Sequence, residues 1–433
     1  MVYLIIYTVK AGDSVYRLAM QYGVTTNDIV YANQLSNPDR LAIGQALIIP
    51  VDYFEYTVKR GDSLYLIAKR YNTSISKILE ANPGISVPSS IYIGQNIRIP
   101  TTGNILRSID VNGYAFPNIR QDALETALPN LSFLSIFSYQ IRADGSLVQI
   151  NDSELINKAL NSNVKPFMVI TNIGESGGFD SDLASEVLYN TEIQDILIEN
   201  VVRTLNEKQY AGLDIDFEYV YPSDREAYNS FLEKISKRIK PLGYILTTAV
   251  APKISANQPG TLYEGHDYHV HGRVADHVII MTYEWGFTYG PPQAVAPIDQ
   301  VERVLRYAVS AIPSQKILMG IPNYGYDWTL PYRRGTRATS LSNLQAMNLA
   351  INTGSTIRFD DTAQAPYFNY YDEEGKRHVV WFDDARSLTA RLKLIEKYNL
   401  GGASYWTINR LYRTLWYTLR ALYDVNQGES FQI

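Results

Sequence analysis

The 433-residue chain contains no cysteine. Disulfides, thiolate nucleophiles and thiolate metal ligands are therefore excluded. Histidine is scarce too: there are 5, and four of them, His266, His269, His271 and His277, fall in one short stretch. No apolar run approaches the roughly 20 residues of a membrane-spanning helix, so no membrane partner is expected. The apolar start, Met1-Val2-Tyr3-Leu4-Ile5-Ile6, is too short for a signal peptide and lacks a basic leading segment, so no cleavable leader is expected. There is no glycine-rich phosphate loop, which argues against a nucleotide site. Positive charge is not in excess. The formal net charge is −5, and no nucleic-acid partner is expected.

What is present is globular. Apolar residues make up 46% and charged residues 19%, values typical of folded domains. The length allows more than one core. Charge is unevenly spread, at about +2 over residues 1–100 and about −7 over the rest, as in a chain whose parts have different tasks. Tyrosine (34) far outnumbers phenylalanine (13). Its flat apolar face and hydroxyl suit polar, ring-shaped ligands, and equally suit ordinary half-buried positions.

The first hundred residues are a duplication. Tyr7-Thr8-Val9-Lys10-Ala11-Gly12-Asp13-Ser14 recurs as Tyr56-Thr57-Val58-Lys59-Arg60-Gly61-Asp62-Ser63, and Ile43-Gly44-Gln45 recurs as Ile93-Gly94-Gln95. Such self-similarity marks repeated units. Each unit, 1–50 and 51–100, reads strand, helix, helix, strand. Ser14 and Ser63 are good N-caps for the first helices, and Thr25 and Ser74 for the second. Val15, Leu18, Ala19 and Tyr22 follow helical spacing, as do Leu64, Ile67, Ala68 and Tyr71. Gly23 and Asn72 suit the left-handed geometry that closes a helix. Thr101-Thr102-Gly103 reads as a linker.

In the remainder, strand-like and helix-like segments alternate. Candidate strands lie at 109–116, 133–139, 166–172, 212–218, 244–250, 278–283, 317–322 and 402–406, with helices at, for example, 153–161, 225–239, 298–311 and 387–397. Eight such strands with intervening helices fit a (β/α)₈ barrel over about 105–425. The long connection at about 323–384 carries Tyr-rich, strand-like runs and predicts a small α+β insertion.

The most telling stretch is Gly212-Leu213-Asp214-Ile215-Asp216-Phe217-Glu218. A strand sends alternate side chains to opposite faces, so Asp214, Asp216 and Glu218 share one. Three ionised carboxylates this close repel, so at least one must hold or share a proton. The alternation would also suit a half-exposed strand with a polar face, but strands in α/β units are usually buried on both sides. In a barrel the C-terminal strand ends carry the active site. Here they offer Asn172, Glu218, Tyr283, Asn323, Tyr324 and Trp406. Three carboxylates could instead hold Mg²⁺ or Ca²⁺, but neighbours on one strand wrap an ion poorly. Zinc at the histidine-rich stretch is a further option, with packing or solvation favoured over it. No metal or other cofactor is expected.

These motifs resemble known families. The repeated Tyr-Thr-Val-x-x-Gly-Asp-Ser, Ala-Asn and Ile-Gly-Gln elements resemble LysM modules, which bind N-acetylglucosamine polymers. That resemblance places a glycan groove at Gly12, Asp13, Ser14 and Asn33, with its two following residues, and at Gly61, Asp62, Ser63 and Asn82, with the residues up to Ile85. Gly-Leu-Asp-Ile-Asp-Phe-Glu resembles the signature of glycoside hydrolase family 18, although Ala211 stands where that signature often has its first Asp. Met281-Thr282-Tyr283-Glu284, Gly320-Ile321-Pro322-Asn323-Tyr324-Gly325 and Gly402-Ala403-Ser404-Tyr405-Trp406 resemble that family's sixth, seventh and last strands, with Glu284 replacing the commoner Asp. The combination, with Tyr324-Gly325-Tyr326-Asp327-Trp328-Thr329-Leu330-Pro331, is similar to bacterial spore-cortex-lytic N-acetylglucosaminidases.

The resemblance implies a retaining mechanism in which the substrate's own 2-acetamido oxygen is the nucleophile. Glu218 would protonate the leaving oxygen and then activate water. Asp216 would hold the acetamido N–H, and Asp214 would share a proton with it. Tyr283 would orient the acetamido oxygen. Trp406 would form the floor beneath the sugar, and Tyr324, Asn323, Asn172 and Glu284 would contact substrate. It implies peptidoglycan as partner, action at the spore coat or cortex, and a monomer. A chitinase is the alternative within the enzyme class. A non-catalytic glycan-binding coat protein is the alternative outside it, and retention of Glu218 favours an enzyme.

Overall fold

The computed structural model describes residues 3–428 apart from 52, 72, 86, 89 and 101–104. The linker expected at Thr101-Thr102-Gly103 and the helix closure expected at Asn72 lie outside the described residues. Each N-terminal repeat is a two-stranded antiparallel ribbon carrying two helices. In the first, Tyr3–Thr8 pairs with Ala46–Val51 around the helices Val15–Tyr22 and Thr26–Asn33. In the second, Tyr53–Thr57 pairs with Asn96–Pro100 around Leu64–Arg70 and Ile75–Ala81. Ser14, Thr25, Ser63 and Ser74 each cap a helix through the side-chain oxygen, and Gly23 closes the first helix at φ 68°. Helical spacing buries Val15, Leu18 and Ala19 in the first repeat, and Leu64, Ile67 and Ala68 in the second.

The rest is a closed parallel barrel of eight strands: β1 Arg107–Ala115, β2 Phe133–Gln140, β3 Lys165–Thr171, β4 Gly212–Asp216, β5 Ile245–Val250, β6 His277–Ile280, β7 Ile317–Pro322 and β8 Gly402–Trp406. Closure comes from β8 pairing with β1, Gly402 opposite Asp110 through Tyr405 opposite Gly113. Gly402 is required there, because a Cβ would sit 1.7 Å from the Asp110 carbonyl oxygen. The helices Ser153–Asn161, Arg225–Ile239 and Ile298–Ala311 begin and end where their sequence periodicity does.

Strand limits differ most at β4 and β6. Strand β5 accompanies β4 only as far as Ile215, and β3 only to Asp216. Phe217 and Glu218 therefore leave the ladder. β6 stops at Ile280, where two tight backbone turns follow: Thr282 N–H to Ile280 C=O and Tyr283 N–H to Met281 C=O, both 2.8 Å.

Between β7 and β8 an insertion forms its own five-stranded antiparallel sheet, in the order Thr339–Leu341, Gly325–Thr329, Arg377–Trp381, Ala365–Tyr371, Arg358–Asp360, with the helix Asn343–Asn352. Buried Trp328 ties this sheet to the loop after β6, its indole N–H donating to the Gly290 carbonyl at 2.9 Å.

The first repeat is docked on the barrel. Ile357 N–H donates to Ile43 C=O at 2.8 Å, Arg386 donates to Gly44 C=O at 3.1 Å, and Arg413 N–H donates to the Gln34 side chain at 2.7 Å. The Arg413 guanidinium lies 4.1 Å from the Tyr31 ring centroid, and Ala32 and Ile48 pack with Ala385. The contact is so close at Gly44 (φ 81°) that a Cβ would lie 1.9 Å from the Ile357 carbonyl oxygen.

Candidate active site

Strand β4 does what its alternation predicts. Leu213, Ile215 and Phe217 are fully buried on the outer face. There Phe217 stacks on Tyr228 and Phe231 of the overlying helix, at 5.8 and 5.9 Å between ring centroids. Asp214 and Asp216 point into the barrel and are buried.

Asp214 Oδ2 accepts a 2.5 Å hydrogen bond from the Tyr114 hydroxyl across the barrel. Among the described residues, Oδ1 of Asp214 and Oδ1 of Asp216 have no partner. Burial pushes the Asp214 carboxyl up to about 7, against the opposing pull of the Tyr114 and Ser135 hydroxyls. Asp216 is raised well above the usual range, by burial first and then by the charges of Glu218 and Asp214. The pair therefore holds a proton near neutral pH. Tyr114 is thus hydrogen-bonded to one of the two carboxyls expected to share a proton.

Glu218 is half-buried and pushed up to about 7, first by burial and then by the nearby charge of Glu284. Its backbone, having left the sheet, is held by side chains. Asn172 accepts from its N–H and donates to its C=O, both at 2.9 Å. One residue earlier, the Phe217 carbonyl lies 2.9 Å from His266 Nε2. His266 Nδ1 accepts from Ala251 N–H at 3.0 Å, so Nε2 carries the proton. Burial pushes this imidazole down to about 4, which keeps it neutral.

Around these groups opens a cleft of about 850 Å³, lined among others by Asp216, Glu218, Tyr283, Glu284, Tyr324, Tyr326, Trp406 and Arg410. The Trp406 indole is held edge-on by Tyr114, Phe116 and Phe137, at 5.2, 5.9 and 4.9 Å. Glu284 has φ 67° and faces two phenols. Its Oε1 accepts from the Tyr324 hydroxyl in a short hydrogen bond and from the Tyr326 hydroxyl at 3.1 Å. The residue is exposed as a whole, but the protein crowding its carboxylate raises its pKa against the pull of the two hydroxyls.

Four expected ligand-contacting residues take other roles. Asn172 is fully buried and spends its amide on Glu218 and on the Asp180 carbonyl. Asn323 is also buried, and donates to the carbonyls of Thr407 and Arg410 at 2.9 and 2.7 Å. Both hold loops at the rim and do not line the cleft. In the repeats, Asn33 is bound to Ile29 and Ile48, and Asn82 to Ile78 and Arg98, each joining helix to strand through three hydrogen bonds.

The other repeat residues build the first turn. Asp13 accepts from the Tyr7 hydroxyl and Lys10 N–H, Asp62 from the Tyr56 hydroxyl and Lys59 N–H, and Gly12 and Gly61 have φ of 86° and 88°. Gly12 and Asp13 also edge a second, shallower cleft of about 460 Å³, whose far wall is Ile351 and Gly354 of the insertion. Of the other histidines in that stretch, His271 bonds Thr248 and packs edge-on against His266 at 5.7 Å, His269 is exposed, and His277 packs on Phe133.

Comparison with known proteins settles the family. The sequence pattern of the glycosyl hydrolases family 18 matches residues 113–410. The chain belongs to glycosyl hydrolase family 18. The LysM domain pattern matches 7–50 and 56–100, so this family 18 hydrolase carries two LysM domains. It is 42% identical over 428 residues to the cortical fragment-lytic enzyme of Bacillus subtilis, covering 97% of this chain and 98% of that one. It is 43% identical over 424 residues to the cortical fragment-lytic enzyme of Bacillus anthracis, covering 95% and 96%. The crystal structure of the spore cortex-lytic enzyme SleL of Bacillus megaterium QM B1551 superposes with a TM-score of 0.88 at 37% identity, over 99% of this chain and all of that one.

In this family 18 hydrolase, Tyr114 and Arg410 were not singled out by sequence reading, Tyr326 was quoted only within a motif, and His266 only within the histidine-rich stretch. Tyr114 and Arg410 reach the cleft only through barrel closure and the docking of the insertion, which no local pattern reports. Tyr326 had a signal: it lies two residues after Tyr324, and in extended backbone that spacing returns a side chain to the same side.

Proposed function

We propose that this hydrolase is an N-acetylglucosaminidase that cleaves peptidoglycan after N-acetylglucosamine, acting as a monomer on fragments of the bacterial spore cortex. The observation that carries the reading is likeness along the whole chain, LysM domains included, to cortical fragment-lytic enzymes.

The site geometry supports the chemistry. Glu218, with a pKa of about 7, is suited to give a proton to the leaving oxygen and later to take one from water. Asp216 and Asp214, sharing a proton, let Asp216 be neutral as substrate enters and anionic as positive charge develops on the oxazolinium ring. Tyr283 lines the same cleft and orients the acetamido oxygen for attack on the anomeric carbon. Trp406 supplies the floor. A sugar without a free acetamido group cannot be the nucleophile. Muramic-δ-lactam therefore cannot occupy the reacting position, which favours cleavage after N-acetylglucosamine wherever lactam alternates with it.

The test is digestion of purified cortex fragments by the wild type and by Glu218→Gln, with products identified by mass spectrometry. New reducing ends on N-acetylglucosamine, absent with the variant, support the reading. Activity on chitin oligomers with none on cortex fragments would make it a chitinase. Binding to both without cleavage would make it a lectin.

A further inference from the structure

Among the described residues lining the catalytic cleft, which include Asp216, Glu218 and Glu284, Arg410 is the one cation. It lies four residues beyond Trp406 and is half-buried. Its backbone carbonyl is held by Asn323. Its guanidinium reaches the edge strand of the insertion, donating to the Leu341 carbonyl at 2.7 Å and to the Ser340 hydroxyl at 2.9 Å, and stands 5.9 Å from the Tyr324 ring centroid. Two of its five N–H groups thus have acceptors, and neither acceptor is charged. A half-buried guanidinium with no carboxylate partner among the described residues, at the rim of an acidic cleft, favours an anionic ligand.

We infer that Arg410 reads the carboxylate that muramic acid carries, on its lactyl ether or on the short peptide attached there, and so makes the cleft select peptidoglycan over chitin. The inference rests on the peptidoglycan reading above. In an alternating polymer with N-acetylglucosamine at the reacting position, both neighbouring sugars are muramoyl units. Wherever that neighbour is not the lactam, an anion lies next to the reacting sugar on whichever side Arg410 falls. Chitin has no such charge, and the lactam has lost it. Without Arg410, a carboxylate entering this acidic cleft would meet no cation among the described lining residues. Arg410 is a specificity residue here and takes no part in proton transfer.

The experiment compares native cortex fragments with the same fragments after their carboxylates are converted to neutral methylamides. A charge-assisted hydrogen bond in a partly dry site corresponds to about 10- to 100-fold in kcat/KM. The wild type should lose that factor on amidated fragments. Arg410→Gln should lose it on native fragments and be indifferent to amidation, and Arg410→Lys should recover part of it. Ser340→Ala, which removes one anchor and no charge, should keep the wild-type response to amidation. Equal loss by Arg410→Gln on native and amidated fragments would overturn the inference and leave Arg410 a loop support. A wild type indifferent to amidation would overturn it as well. A wild type inert on native fragments would instead sink the peptidoglycan reading, and this inference with it.

Discussion

Removing the charge of Glu284 tests how the proposed catalytic acid, Glu218, is tuned. Glu218 rises from 4.5 to about 7, with burial as the larger cause and Glu284 as the second. Glu284 then accounts for less than half of the rise, so Glu284→Gln should lower the acid to no further than about 6. Glutamine keeps an oxygen where Oε1 accepts from Tyr324 and Tyr326, so the local geometry should survive. The general acid must be protonated to work, so kcat/KM falls on the alkaline side of its pKa. The alkaline limb of the variant's pH profile should move toward acid by up to about one pH unit. At pH 8, above both values, the variant should be slower by up to about 10-fold at an unchanged plateau. The assay is kcat/KM on cortex fragments from pH 4 to 9. An unmoved limb, or one moved toward alkali, would refute the tuning argument.

Asn172→Ala should strand the Glu218 N–H and C=O, cutting kcat about 10- to 100-fold with little change in KM and costing about 1–3 kcal/mol of stability; steady-state kinetics and thermal melts check both. Glu218 should also make stability depend on pH. Its folded pKa lies above the unfolded one, so its contribution is full below about pH 4.5 and is lost as pH rises to about 7. Glu218→Gln should remove that loss, on the order of 2–3 kcal/mol, as read by denaturant unfolding at pH 4.5 and pH 8. Gly44→Ala should drive a methyl group into the Ile357 carbonyl and release the first LysM domain from the barrel. Faster proteolysis at the junction and a larger radius of gyration by small-angle scattering would follow, and an unchanged radius would contradict it.

Chemistry that repeats or alternates was legible in the sequence. The LysM turns showed because serine caps and left-handed glycines recur at one offset. Strand β4 showed because carboxylates and apolar groups alternate through it. The role of a buried asparagine was not legible. Asn172 and Asn323 were read as ligand contacts because they sit at C-terminal strand ends, and Asn33 and Asn82 because the LysM resemblance places the groove there. In the fold each sits there because backbone groups at such ends lack partners, and its amide satisfies them. The length of β4 escaped for a related reason, since it depends on how far β3 and β5 run alongside. Tyr114 and Arg410 meet the site from distant parts of the chain, so only tertiary closure reveals them.

The docking of the first LysM domain bears on reach. Two sites joined by a flexible tether explore many separations, and their joint grip declines gently as the tether lengthens. Two sites on one rigid body offer a single separation. With Ile43 and Gly44 bonded to the barrel, the shallow cleft at Gly12 and the catalytic cleft stand at a fixed span, like the jaws of a caliper. On the proposed reading that the Gly12 cleft takes glycan, a strand would gain from both only if its contour fits that span, and a strand too short to bridge it would be held by one alone.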